Sequence, residues 1–228
     1  MNNQPSTINN QLIQAVEEAD SSQGLIDAVK GLAAAQIEDA IPILIKVLGY
    51  NNPGAAVAAV DGLVLLGETA VLPLLEKLDG YNYGARAWAI RALAGIGDPR
   101  GLDLLLDAAI NDFSFSVRRG AAKGLGFIDW KKLPESQIFD SQLSTMKTLL
   151  QVSQDQEWIV RYAAVVGLYG LAKTVEVTYP KWLEDILTRF EEIVDTDTTL
   201  AVSARAQMAI ADLGRERKSE VESDILIT

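Results

Sequence analysis

The chain of 228 residues contains neither cysteine nor histidine. Without cysteine it can form no disulfide, no thiolate nucleophile and no thiolate metal site. Without histidine it lacks the commonest metal ligand and the side chain best suited to act as a general base near neutral pH. These two absences argue against an ordinary hydrolase, a zinc enzyme or a haem protein.

Long apolar runs and a targeting segment are missing as well. No run reaches the length of about 18 apolar residues that a membrane helix needs, so we expect no membrane span. Residues 1–7 are uncharged and largely polar, whereas a signal peptide has a basic region followed by an apolar one. We therefore expect a cytoplasmic protein.

Charge is plentiful but unevenly distributed. The net charge is −11, made up of −6 over residues 1–78, +2 over residues 79–132 and −7 over residues 133–228. An acidic chain lacks the basic footprint of a nucleic-acid-binding protein. Residues 79–132 are the part of the chain whose charge favours an anionic ligand. The alternative is that their arginines only form the solvated faces of helices.

One segment recurs along the sequence. Residues 54–67 align with residues 84–97, and shorter copies follow at 117–126, 160–168 and, more weakly, 202–206. Each copy has the pattern of a helix rich in small residues. A repeat of this size can bury its apolar face only against its neighbours, which predicts an all-α fold, a HEAT-like α-solenoid of about five to six helix pairs.

Helix boundaries follow from capping residues, prolines and apolar periodicity. We predict a single solenoid domain over residues 1–217 and a polar C-terminal tail over residues 218–228. Glycine is costly inside a helix, so its frequency in the copies indicates close helix contacts. Two longer loops are predicted at 128–137 and 173–182, and helices outside the copies at 8–19, 22–35, 37–49, 68–78, 99–111, 136–152, 180–194 and, around the weak copy, 199–213.

Three arginines occupy the same position of the repeat: Arg86, Arg118 and Arg161. Asp112 and Asp155 each precede one of them by six residues. Such a series can be a ladder that ties turns to helices and neighbouring repeats together. Because guanidinium groups bind carboxylates with two hydrogen bonds, it can equally be a cradle for an anion.

Trp88 and Arg91 differ most from the repeat pattern. If Ala89 and Leu93 face the core, Trp88 and Arg91 face outward together, three positions apart. A large aromatic side chain between copies with small residues makes a pocket wall or an anchor, although a tryptophan in a repeat helix can also belong to the core.

Other polar and aromatic residues surround this pair in the repeat alignment. Asp61 and Lys123 stand at the position of Arg91 in the neighbouring copies, and Tyr81 and Tyr83 lie at the start of the same helix as Trp88. The combination suits a flat conjugated ligand with carboxylate arms, or a protein partner. We expect its lining to be extended by Trp130, Trp158 and Tyr162, and its acids to include Asp98 and Asp112.

The amino-acid sequences of three segments resemble the E/F-type phycobilin lyases of cyanobacteria, a family with HEAT-like repeats. The segments are residues 49–63, 81–93 and 116–126, and within the family they are most similar to the F-type subunits. The resemblance covers residues 10–215. It implies a heterodimer with an E-type subunit, which attaches phycocyanobilin through a thioether to a cysteine of the phycocyanin α-subunit. Isomerising relatives carry a His-Cys pair that is absent here, so isomerisation is not implied.

The resemblance also implies roles for the residues named above. Phycocyanobilin would be a transiently bound substrate, with no tightly bound cofactor and no metal. Asp61 would be the catalytic carboxylate that keeps the bilin nitrogens protonated. The bilin rings and propionates would be bound by Tyr81, Tyr83, Arg86, Trp88, Arg91, Arg118 and Lys123.

Two other interpretations stay open at this point. The chain can be an NblB-like adaptor or chromophore-detaching factor, which shares the repeats and takes part in phycobilisome breakdown. It can also contribute only an interface, with the bilin held by the E-type subunit.

Overall fold

A computed structural model describes residues 4–77 and 83–227. Over those residues the chain forms twelve α-helices and no strand, which confirms the predicted all-α solenoid. The helices are α1 (Gln4–Glu17), α2 (Ser22–Ala35), α3 (Ile41–Val47), α4 (Pro53–Leu66), α5 (Glu68–Lys77), α6 (Tyr83–Ile96), α7 (Leu102–Asn111), α8 (Phe115–Leu125), α9 (Glu135–Val152), α10 (Trp158–Val175), α11 (Pro180–Thr196) and α12 (Leu200–Ile227).

By its internal contacts the chain divides into two compact units. The first comprises residues up to Leu105 together with Ile128–Lys132, and the second comprises Leu106–Phe127 together with the residues from Leu133 onward. The small-residue helices α4 and α6 belong to the first unit, and α8, α10 and α12 belong to the second. The division into one domain and a tail stays a prediction.

In the first unit, short polar side chains begin the helices and join successive repeats. The Ser21 hydroxyl caps α2 by accepting a hydrogen bond from the Gly24 amide. Asn52 caps α4 by accepting from the Ala55 amide, and its side-chain nitrogen donates to the backbone and side-chain oxygens of Ser22, both at 3.1 Å. One residue thus starts a helix and fixes it to the preceding repeat.

The inner helices of the first unit make close contacts. A Cβ atom on Gly62 would lie 2.7 Å from the Ala33 Cβ, and one on Gly95 would lie 2.6 Å from a Val64 methyl group. Real Cβ atoms essentially never come so close, so glycine lets α4 approach α2 and α6 approach α4. One core position recurs in the copies of both units, where Leu63, Leu93, Leu125 and Leu168 are each at most 2% exposed.

In the second unit the contact is tighter and runs from backbone to backbone. A Cβ atom on Gly126 would run into the Gly167 carbonyl oxygen, one on Gly167 into the Ala122 carbonyl oxygen, and one on Gly170 into the Gly126 carbonyl oxygen. Helices α8 and α10 therefore pack with no side chain between them at these points. The interpretation of helix glycines as contact points is confirmed.

Three predicted boundaries were wrong. Helix α1 begins at Gln4 rather than at residue 8. Helix α10 continues to Val175 and α11 begins at Pro180, so the loop expected over 173–182 is only four residues long. Helix α12 runs to Ile227 rather than ending at residue 213, because no proline interrupts residues 214–227. Within the connection predicted at 128–137, Trp130–Lys132 form a 3₁₀ turn before α9 begins.

Candidate functional site

Trp88 and Arg91 lie side by side on the outward face of α6, as their spacing predicts. Arg91 is exposed, and its guanidinium carbon is 5.5 Å from the centroid of the Trp88 ring. This distance is that of a cation–π contact, which holds both side chains in place. Trp88 is half-buried and packs against the core of the first unit with the part of its ring that faces inward.

Asp61 is exposed on α4, thirty positions before Arg91 and at the equivalent place in the repeat. Because α4 and α6 are in direct contact through Val64 and Gly95, their axes lie about 8–10 Å apart. At the position of the repeat that Trp88 occupies, α4 carries Ala58, which has only a methyl side chain and is 5% exposed. The first unit thus presents a carboxylate on α4, and an indole and a guanidinium on α6, on two helices in direct contact.

The other predicted binding residues of the first unit have different positions. Arg86 is half-buried and has an interaction partner within the protein. Tyr81 lies outside the described residues, and Tyr83 opens α6 but its side chain also lies outside them. Lys123 is exposed on α8 and belongs to the second unit.

Arg118 is committed to the scaffold of the second unit. Its Nε and Nη2 atoms donate to the Asp155 carboxylate at 2.8 and 3.1 Å, and Nη1 donates to the carbonyl oxygens of Asp112 and Phe113 at 2.9 and 3.1 Å. The hydrogen bond to Asp155 raises the pKa of this guanidinium. A bilin propionate could bind Arg118 only by displacing Asp155.

Arg161 repeats the arrangement one helix pair later. Its Nε and Nη2 atoms donate to the Asp197 carboxylate at 2.6 and 2.9 Å, and Nη1 donates to the carbonyl oxygens of Asp155 and Gln156. The ladder interpretation is therefore correct for Arg118 and Arg161. Each arginine pairs with the aspartate of the following repeat, whereas the aspartate six residues before it contributes a backbone oxygen. Asp197 was missed from the sequence for this reason.

Two more expected lining residues are structural. Asp98 is 4% exposed, and its carboxylate accepts from the side chain and the backbone amide of Arg100. The hydrogen bond from the Arg100 side chain lowers the pKa of Asp98. Trp130 is 7% exposed and belongs to the core, because its 3₁₀ turn folds the ring inward, whereas Trp158 is 45% exposed.

Replacing Arg161 by alanine should lower the free energy of unfolding by about 2–3 kcal/mol at pH 7, since it leaves a carboxylate that is only 5% exposed without its cation. The hydrogen bond from Arg161 lowers the folded-state pKa of Asp197. This contribution is therefore complete above the unfolded pKa of about 3.9 and is lost as the pH falls through the folded pKa. Urea unfolding at several pH values should show the difference between Arg161→Ala and the wild type shrinking in acid. A difference that is independent of pH would contradict the assignment.

Residues 4–77 and 83–227 contain no group of three acidic side chains placed to hold a metal ion. None of the helices there combines the length and the apolar character that a membrane crossing requires.

Known proteins resemble this chain over most of its length. Residues 71–168 match the family of HEAT repeats. The "Phycocyanobilin lyase subunit beta" of Pseudanabaena tenuis is 55% identical over 94% of this chain and 76% of its own length. The "Phycocyanin alpha phycocyanobilin lyase CpcF" of Synechocystis sp. is 56% identical over 79% of this chain and 84% of its own length.

A solved structure agrees with these sequences. A chain of the complex of CpcE and CpcF of phycocyanin lyase from Nostoc sp. is 52% identical, and the match covers 75% of this chain and 98% of that chain with a TM-score of 0.69. Identity above one half over most of both chains, together with the shared repeat fold, is decisive for membership. The chain belongs to the E/F-type phycobilin lyase family, alongside its phycocyanobilin lyase beta subunits.

Proposed function

We propose that this chain is the F-type subunit of a heterodimeric lyase that joins phycocyanobilin through a thioether to a cysteine of the phycocyanin α-subunit. The observation that carries the proposal is the 56% identity to a protein named for this reaction in Synechocystis. The partner is an E-type subunit, since a 52% identical relative was solved in a complex with CpcE. The reaction needs a free thiol on the protein substrate, which the reducing cytoplasm maintains.

The absence of cysteine and histidine is compatible with this chemistry. The substrate cysteine supplies the nucleophile, and its S–H adds across the exocyclic double bond of bilin ring A. The sulfur bonds to the ethylidene carbon and a proton is added at the adjacent ring carbon, so no group leaves and no oxidant is consumed. The lyase subunit has to bind, orient and protonate rather than form a covalent intermediate.

The surface of α4 and α6 offers groups for each part of the bilin. Trp88 presents an aromatic face to the conjugated rings. Arg91 can bind a propionate with two hydrogen bonds. Asp61 can accept hydrogen bonds from the pyrrole N–H groups and so favour the protonated, more electrophilic bilin.

In this proposal the bilin binds this surface transiently as a substrate, and the chain keeps no tightly bound cofactor. Arg86, Lys123, Tyr81 and Tyr83 stay candidates for further bilin contacts through their positions in the sequence. Arg118 is assigned to the ladder instead.

Reconstitution tests the proposal. The chain, its cognate E-type subunit, phycocyanobilin and the apo-phycocyanin α-subunit are incubated together, and the covalently coloured α-subunit is measured by its absorbance after denaturation. We expect colour only when both lyase subunits are present, and none with an α-subunit whose acceptor cysteine is replaced by serine. Equal colour without this chain would contradict the proposal. Binding to mature phycocyanin with no effect on attachment would favour the adaptor function.

A further inference from the structure

Three successive inner helices of the second unit begin with an exposed large apolar residue. Phe115 at the start of α8 is 49% exposed, Trp158 at the start of α10 is 45% exposed, and Leu200 at the start of α12 is 82% exposed. Single exposed apolar residues are common on any protein surface. The same position in three consecutive repeats is a pattern, and we call these three residues the apolar edge.

A shared turn places each of these residues. An aspartate stands three positions earlier, and its carboxylate accepts a hydrogen bond from the backbone amide of the residue directly before the apolar one. These bonds join Asp112 to Ser114 at 2.9 Å, Asp155 to Glu157 at 2.8 Å and Asp197 to Thr199 at 2.8 Å. The repeated turn gives the three helix starts the same local geometry.

The arginine ladder then fixes the turns beside one another. Arg118 follows Phe115 by three residues and binds Asp155, which precedes Trp158 by three; Arg161 joins the next turn to Asp197 in the same way. With neighbouring axes about 8–10 Å apart, the apolar edge is about 20 Å long. The backbone of the apolar edge is held by charge-assisted hydrogen bonds. Because it is already ordered, this chain loses little conformational entropy when a partner docks there.

We propose that the apolar edge is the docking surface for the E-type partner subunit, an inference that rests on the proposed function. A lasting subunit contact needs apolar anchors more than a transient substrate contact does, and tryptophan is a frequent anchor. Exposed acids flank the edge at Glu157 and Asp195, within a segment of net charge −7. We therefore expect the matching partner surface to be apolar at its centre and basic beside Trp158 and Leu200, whereas the exposed Arg119 near Phe115 favours an acidic group at that end.

Affinity for the cognate E-type subunit, measured by calorimetry without bilin, tests the proposal. We expect Trp158→Ala to weaken binding more than tenfold, and the triple change Phe115→Ala, Trp158→Ala and Leu200→Ala to weaken it more than 100-fold. The melting temperature of each variant should stay close to that of the wild type, because none of the three residues belongs to the buried core. Phe127→Ala is the matched control, since Phe127 is 51% exposed and follows the other end of α8. It should bind like the wild type.

Several outcomes overturn the proposal. Unchanged affinity of the triple variant does so, and so does an equal loss with Phe127→Ala. An intact heterodimer that no longer binds the apo-phycocyanin α-subunit would assign the edge to the protein substrate instead. Failure of the proposed function looks different: a wild-type pair that forms but attaches no bilin leaves the edge assignment untouched.

Discussion

Gly167→Ala is expected to destabilise the second unit by about 3 kcal/mol or more. The added methyl group meets the Ala122 carbonyl oxygen and lies 2.8 Å from a Leu149 methyl group. A long side chain could rotate away from such a contact, but the carbonyl belongs to helix backbone, so α8 and α10 have to separate. Urea unfolding followed by circular dichroism should show the loss as a lower midpoint.

Gly31→Ala is the matched control, because Gly31 is inside α2 and has no atom within 4 Å of where a Cβ would be. This change should raise the free energy of unfolding by about 0.5–1 kcal/mol, the usual advantage of alanine over glycine in a helix. Changes of opposite sign in the free energy of unfolding would show that the close contact at Gly167, rather than the glycine-to-alanine change itself, causes the destabilisation. A stabilising effect at both positions would contradict the close approach of α8 and α10.

Trp88→Ala combined with Arg91→Ala is expected to slow bilin attachment about 100-fold. Each residue is proposed to contribute a contact with the bilin, and about 1.4 kcal/mol per contact corresponds to a factor of ten. The measurement is the initial rate of α-subunit colouring at a saturating concentration of the E-type subunit. The bilin concentration at half the maximal rate should rise as well, since the lost contacts bind the substrate.

Two controls separate a bilin contact from general damage. Arg91→Lys keeps the charge but loses the planar guanidinium, and should give an intermediate rate. Arg215→Ala removes a 76% exposed arginine from α12 and should leave the rate unchanged. If the double variant binds bilin and attaches it like the wild type, the E-type subunit holds the bilin, and this chain supplies an interface alone.

Local rules explain which features of the fold were predictable. Ser21 and Asn52 cap their helices because their side chains reach the free amides of the first turn. The glycines in the copies indicated close helix contacts, because glycine destabilises a helix and is retained where a larger side chain would not fit. The ends of α10 and α12 did not follow from the sequence, because polar residues continue a helix when no proline interrupts it.

The site was predictable only as far as helix periodicity reaches. Trp88 and Arg91 are three positions apart on one helix, so their contact follows from the sequence. The partners of Arg118 and Arg161 lie 37 and 36 residues further along, and nothing local distinguishes the preceding aspartate from the following one. The apolar edge was missed for a similar reason, since its members are adjacent only after the repeats have stacked.

The ladder also has a direction along the polypeptide. Each arginine pairs with an aspartate that is synthesised after it. Asp155 leaves the ribosome about 2–7 s after Arg118 at ordinary rates of synthesis. Until then Arg118 lacks its carboxylate partner for two hydrogen bonds, and water has to solvate those N–H groups. We expect the repeats of the second unit to join in the order of translation, each new turn neutralising the charge left by the one before it.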